Sequence, residues 1–194
     1  MEWLIYIDEK ILLAINGAHC AFMDHVMWAF SDRFFWIPLY LFLAWLLFRR
    51  KGTKTGILSL VVIAGMIAVT DQTCSSLIRP LVERLRPSSL ENPISAMIHL
   101  VNGHRCGQYG FPSSHAANTF ALALFLGMLF RNRKYTIVFL SWAFIVSYSR
   151  IYMGVHYPGD IVAGALIGIS YAILFHKLFI FAQERVSIFK PSLG

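Results

Sequence analysis

The residues best able to do chemistry gather in three short stretches of this 194-residue chain. They read Arg79-Pro-Leu-Val-Glu-Arg-Leu-Arg86-Pro87, then Gly110-Phe-Pro112-Ser113-Ser114-His115, then Ser149-Arg150-Ile-Tyr-Met-Gly-Val-His156-Tyr-Pro-Gly-Asp160. Guanidinium, imidazole, carboxylate and hydroxyl groups in one pocket match the needs of a phosphate ester. Its equatorial oxygens carry charge that spreads in the transition state. Arginine forks pair such oxygens bidentately, which a lysine ammonium cannot do. Of two histidines, one can attack phosphorus while the other protonates the departing oxygen. A carboxylate on one ring nitrogen fixes the tautomer and leaves the other nitrogen free. His156 and Asp160 lie one turn apart in sequence, although Pro158 between them means they need not share a helix.

These stretches must be brought together by the elements that carry them. With 57% hydrophobic and only 14% charged residues, against about a quarter charged in a soluble domain, the chain reads as an integral membrane protein. Disorder is excluded by the same composition, and no internal repeat or low-complexity tract is evident in the sequence. Five apolar runs, about 34–48, 55–78, 113–130, 135–149 and 160–182, predict an all-α bundle of about five to six transmembrane helices. The chain reads as one membrane-embedded domain, 1–194, with its motif core at 79–160. Residues 3–16 carry Trp3, Ile7, Ile11 and Ile15 at every fourth position, while Asp8, Glu9 and Lys10 face elsewhere. That pattern predicts a helix lying in the membrane interface, with a sixth span as the alternative.

The net charge of +7 is assigned to cytoplasmic loops rather than to nucleic acid. Arg49, Arg50, Lys51 and Lys54 join the first two spans, and Arg131, Arg133 and Lys134 join the third and fourth. With these loops inside, Arg185 and Lys190 near the C-terminus fall inside as well, and the polar segments 79–112 and 150–159 face outward. Two spans then begin on the outer face, at Ser113/Ser114 and at Pro158. Their unpaired N–H groups and positive dipole ends add to an anion cradle.

The three stretches, in order and with their internal spacing, resemble the signature of the type 2 phosphatidic acid phosphatase superfamily: Arg79-x6-Arg86-Pro87, Pro112-Ser-Ser-His115 and Ser149-Arg150-x5-His156-x3-Asp160. The resemblance implies that His156 is the nucleophile forming a phosphohistidine, that Asp160 orients it, and that His115 is the general acid. Arg79, Arg86, Ser113, Ser114 and Arg150 would hold the phosphate, with no metal and no cofactor. Two positions depart from the usual pattern: Arg79 stands where a lysine is common, and Ser114 where a glycine is common. The substrate implied is a membrane lipid phosphate or diphosphate, lipid A phosphate or undecaprenyl diphosphate ahead of phosphatidylglycerol phosphate or phosphatidic acid. The place implied is the plasma (inner) membrane, with the site on its periplasmic or extracellular face and no obligate protein partner evident. The rival readings are a non-catalytic lipid-binding or transport protein, a zinc site built from His115, His156 and Asp160, and a haloperoxidase.

Other residues have plainer readings. Arg84 is expected to be a snorkelling anchor. Asp71 would serve either an arginine or a helix–helix hydrogen bond with Gln72 near it. Gly164-x3-Gly168 predicts close helix packing inside the bundle. His104 and Arg105, in the 88–109 loop, are candidates for a headgroup contact. Cys20, Cys74 and Cys106 lack metal-type spacing and read as free thiols or core residues.

Overall fold

Glycine, proline and capping side chains divide this apolar chain into helices. The computed structural model describes residues 2–188 and is all-helical, with no named strand among the described residues. α1 (Glu2–Gly17) and α2 (Ala21–Ser31) precede α3 (Ile37–Gln72). α3 has Pro38 in its first turn, where a missing N–H is no loss. It breaks at Gly52, whose φ of 75° lies in the left-handed region that glycine enters without a Cβ penalty. The arms 37–51 and 53–72 fold against each other, and a Cβ on Gly56 would fall 2.6 Å from Phe48 Cδ1. The second arm continues through π-helical Thr73–Ile78 into α4 (Arg79–Val82).

Ser113 caps α5 (Ser114–Phe130), and Asn132 caps α6 (Arg133–Tyr152) by accepting from Lys134 N and Tyr135 N. α7 (Pro158–Ile188) opens on proline. Each of the five apolar runs falls largely within one of these helices or arms. By length and apolarity, Ile37–Val82 and Pro158–Arg185 can each cross a bilayer, and α5 is apolar but shorter.

The main core joins α3, α5, α6 and α7 through Met66, Phe125, Leu126, Phe139, Ala143 and Phe179. α5 packs most extensively on α7, because glycine lets the two backbones meet. A Cβ on Gly164 would lie 2.4 Å from Ser113 O, and one on Gly168 2.1 Å from Ala117 O. The expected packing role of these glycines inside the bundle is therefore what the structure holds. The outside of the bundle is apolar too, with Leu41, Val61, Phe144 and Leu166 all largely exposed. Such a continuous belt is unfavourable in water and favourable in hydrocarbon.

A second set of contacts caps one end of the bundle. Leu12 of α1 packs with Ile98, Ile151 and Tyr157. Buried Asn16 donates to His99 O at 2.9 Å and Tyr152 O at 2.7 Å, and accepts from His99 N at 2.8 Å. These contacts fix which face of α1 turns inward. Leu12 and Asn16 point inward, with Asp8 on the same side, while Trp3 and Ile11 of the apolar stripe are exposed. Polar pairing, not apolar periodicity, sets the rotation of this helix.

The basic loops meet at the opposite end, where Arg50 Nη2 donates to the Tyr135 hydroxyl at 3.5 Å and Lys51 lies over the Phe130 ring. Arg185 closes the last turn of α7, and Lys190 lies outside the described residues. The three cysteines are unpaired thiols.

Candidate active site

The first two motifs are joined by backbone pairing. Arg86 N donates to Gln108 O and Gly110 N to Arg84 O, each at 2.8 Å, around a Leu85–Tyr109 bridge. The second and third motifs are joined where Ser113 N donates to Asp160 O at 3.0 Å. Asn92 Nδ2 closes the set, donating to Arg86 O and to the Tyr157 hydroxyl, both at 3.0 Å. Three segments that are far apart in sequence thus converge at one end of the bundle, where α4 and α6 end and α5 and α7 begin.

His156 sits on the turn between α6 and α7 and is 1% exposed. Its Nδ1 lies 3.3 Å from Asp160 Oδ2, and its Nε2 lies 2.8 Å from Arg86 Nη1. A guanidinium can only donate, so Nε2 carries the lone pair and Nδ1 the proton, directed at Asp160. Burial holds the His156 ring well below the usual histidine range, and the charges of Arg86, Arg150 and Arg79 add to this. The ring is therefore neutral at pH 7, with an attacking lone pair. Asp160 is itself secured: Oδ2 also accepts from Tyr157 N at 3.0 Å, and Oδ1 from Arg84 Nη1 at 2.9 Å.

Arg84 is accordingly not a snorkelling anchor. Its second fork reaches Asp8 Oδ2 at 2.6 Å, and it lies 4.0 Å from the centre of the Tyr157 ring. Asp8 also accepts from Gly159 N at 2.7 Å, which fastens α1 to the start of α7. This Asp8–Arg84–Asp160 chain is not legible in the sequence, since Asp8 is 152 residues away from Asp160 and belongs to no motif.

The arginines are held with part of each fork unused. Arg79 Nη2 donates to Ser114 Oγ at 2.9 Å and to Pro112 O at 3.4 Å. Arg79 and Ser114 are the two departures from the usual pattern, and they meet each other. Arg150 donates to Ser31 Oγ and, at 3.4 Å, to Cys106 Sγ. Arg86 Nη1 donates to Val155 O at 3.0 Å. Burial draws its guanidinium down to about 10, so it stays charged at neutral pH. The Nε atoms of all three are buried without a partner, a cost that an arriving anion would relieve.

Not every candidate lines the pocket. Ser113 is fully buried, and its hydroxyl accepts from Ala116 N as a helix cap. Its hydroxyl is turned into the α5 terminus. In the 88–109 loop, Arg105 donates to Ser88 O, while His104 lies 3.4 Å from Cys106 Sγ and edge-on to Trp28. Neither faces the cavity, so the expected headgroup contact is not found there. Asp71 accepts from Asn118 Nδ2 at 3.3 Å, a helix–helix hydrogen bond between α3 and α5, which is the second of its two expected roles rather than service to an arginine.

Arg79, Arg86, Arg150, Ser114, His115 and His156 line the polar end of a cavity of about 620 Å³. Arg33 and Cys106 also reach it, and no motif marked either. Deeper in, the wall becomes apolar: Leu43 and Leu47 from one arm of α3, Ile63 and Ile67 from the other, and Leu122 and Leu126 from α5. From His115 to Leu126 the helix rises roughly 16 Å, about half the ~30 Å hydrocarbon core. The site can therefore hold a phosphate at one end and a chain of one leaflet's depth behind it. A zinc ion fits this donor set poorly. Both His156 nitrogens are engaged, one by the cation Arg86, and further arginines ring the pocket.

Comparison with known proteins agrees with this geometry. The family model for the PAP2 superfamily matches residues 56–184. The chain is similar to a lipid A 4'-phosphatase of Bacteroides thetaiotaomicron, 49% identical over 168 residues, which cover 87% of this chain and 75% of that protein. It is 28% identical to an undecaprenyl-diphosphatase of Bacillus subtilis over 174 residues, 88% of this chain and 83% of the other. Its fold is shared with the solved transmembrane PAP2-type phosphatidylglycerolphosphate phosphatase of Bacillus subtilis, at TM-score 0.63 and 22% identity, over 98% of this chain and 90% of that one. A matched family model spanning all three motifs, together with a pocket that gathers their arginine and histidine side chains, makes the conclusion direct: the chain belongs to the PAP2 superfamily.

Proposed function

We propose that this protein is an integral membrane phosphatase that removes a phosphate from lipid A, working at the outer face of the plasma (inner) membrane. One observation carries the reading: the cavity that begins among four arginines and two histidines continues between apolar helix faces to one leaflet's depth. A soluble phosphate ester needs no such extension, whereas a lipid keeps its tails there while its headgroup meets the cations. The similarity to a lipid A 4'-phosphatase favours lipid A as that lipid. Undecaprenyl diphosphate is the second reading, favoured by the similarity to an undecaprenyl-diphosphatase.

The chemistry runs in two displacements. The incoming phosphate takes over the Arg86 fork, which frees His156 Nε2. Nε2 attacks phosphorus as the ester P–O bond breaks, and His115 gives its proton to the departing oxygen. The positive charge that develops on the His156 ring is balanced by Asp160 through Nδ1–H. Water then attacks the phosphohistidine, His115 takes a proton from it, and inorganic phosphate leaves. Arg79, Arg86, Arg150 and the N–H groups at the start of α5 stabilise the transferring phosphoryl group. These residues supply the positive field, so the scheme uses no metal.

The arms 37–51 and 53–72 and the helices α5, α6 and α7 account for five crossings. α1 then lies along the outer interface, with exposed Trp3, Leu4 and Tyr6 in the headgroup zone.

The test is phosphate release by the purified full-length protein from lipid A, undecaprenyl diphosphate, phosphatidylglycerol phosphate and phosphatidic acid, with a chelator present. Release from lipid A that persists with chelator, and that His156→Ala abolishes while lipid binding survives, is the expected result. Release from undecaprenyl diphosphate alone moves the assignment to the second reading. Loss of all activity on chelation, or unchanged activity in the alanine variant, refutes the mechanism.

A further inference from the structure

Between the cationic end of the cavity and its apolar depth lies a polar step that the phosphate chemistry does not use. Two ridges face each other across the cavity. On one, Arg79, Ser75, Asp71, Ile67 and Ile63 follow at intervals of four; on the other, Ser114, Asn118, Leu122 and Leu126 do the same. They touch at the top through the Arg79–Ser114 hydrogen bond, and one level down through Asn118 Nδ2 and Asp71 Oδ1 at 3.3 Å. Below that level the facing side chains are aliphatic. Asn118 sits one turn from Ser114, ~6 Å deeper along the helix.

Asn118 Oδ1 is buried and has no hydrogen-bond partner. Its amide cannot usefully be turned around, because that would set the oxygen against the Asp71 carboxylate. A carboxylate and a carbonyl oxygen side by side are both acceptors. Left dry, the unpaired acceptor is costly; what it lacks is a donor from the ligand. The lipids considered differ in this respect. An isoprenoid tail has no N–H or O–H, and the ester linkages of a diacylglycerol present only acceptors. Only an N-acylated amino sugar carries an amide N–H close to its phosphate.

We propose that Asn118, held by Asp71, is a specificity-determining residue that accepts a hydrogen bond from an amide N–H of the substrate about one helical turn below its phosphate, so that the site selects N-acylated amino-sugar phosphates. This deepens the lipid A reading and rests on it. Trp142 Nε1, also buried without a partner on the cavity wall, offers a donor to an acyl carbonyl. That contact is open to any acylated lipid and does not discriminate among them.

The test compares kcat/KM for two synthetic glucosamine-based lipid phosphates of equal chain length, one with an amide-linked acyl chain and one with the oxygen ester in its place. The full-length enzyme is expected to prefer the amide about tenfold or more, since the ester leaves Asn118 Oδ1 unpaired. Asn118→Leu should lower that preference to near unity by slowing the amide substrate, with ester turnover held. Asp71→Asn should reduce it as well. Equal rates on the two lipids with the unaltered enzyme overturn the inference but leave the phosphatase reading intact. A preference that survives Asn118→Leu, or an equal loss on both lipids, assigns Asn118 a structural role and also overturns it. Release from undecaprenyl diphosphate with none from either glucosamine lipid refutes the lipid A reading, and the inference falls with it.

Discussion

At the scale of single residues, the site depends on keeping His156 neutral with its lone pair directed toward phosphate. Burial, together with Arg86, Arg150 and Arg79, disfavours the protonated ring. Protonation would occupy the attacking nitrogen, so activity is retained below pH 6.5 and is lost only as pH falls through the depressed value. The acid limb of kcat/KM should therefore lie below the ordinary histidine range, and Arg150→Met should move it upward by removing one of the repelling charges. A pH–rate profile checks both; an acid limb at or above 6.5 in the unaltered enzyme would contradict the geometry. Ser113 tests a different assignment. Because its hydroxyl caps α5, Ser113→Ala should cost about 1 kcal/mol of stability. KM should change little, as measured by thermal unfolding in detergent and by steady-state kinetics. A large rise in KM with stability intact would restore Ser113 as a phosphate ligand.

At the scale of elements, catalysis depends on how closely α5 approaches α7. Ser113 N is bonded to Asp160 O, and His115 begins the same helix. Gly164 faces the backbone oxygen of Ser113 at a distance no side chain can share. Gly164→Ala should force the two N-termini apart, lowering stability by about 1–3 kcal/mol and reducing kcat together with it. Circular dichroism melts and initial rates on one sample provide the measurement, and an unperturbed variant would mean the interface is looser than described. The π-helical segment Thr73–Ile78 has a related role, since it sets the rotation at which Asp71, Ser75 and Arg79 all reach the cavity.

At the scale of the whole molecule, the chain is polarised end to end. Arg50 and Lys51 meet Tyr135 and Phe130 at one end, and the cationic pocket opens at the other. The proposed orientation puts the first end in the cytoplasm. Single cysteines placed at Lys51 and at Gln108, in a background lacking the native cysteines, should react with an impermeant thiol reagent from opposite sides of sealed vesicles. Only the Gln108 position should react from outside the cell. Labelling of both from one side would reject the topology.

Much of this was legible in sequence, for reasons that are local. Apolar run length predicts helices, and basic residues mark the loops at one end. The three motifs name His156, Asp160, His115 and the arginines because such reacting groups come at short, fixed spacings. The pairing of Arg84 with Asp8 and Asp160 is not legible there, because the partners are distant in the chain and a lone charge beside a span has a cheaper explanation. The inward face of α1 is not legible from its apolar stripe, because the pull of Asp8 and Asn16 toward buried polar partners fixes it. Ser113 belonged to the right motif, but which hydroxyl caps a helix and which faces a cavity depends on backbone dihedrals. The linear chain thus determined the chemistry available and the medium in which it works. Only the tertiary structure decided which groups stand within hydrogen-bond reach, because each contact of that kind requires helices from separate parts of the chain to fix one another's rotation and depth.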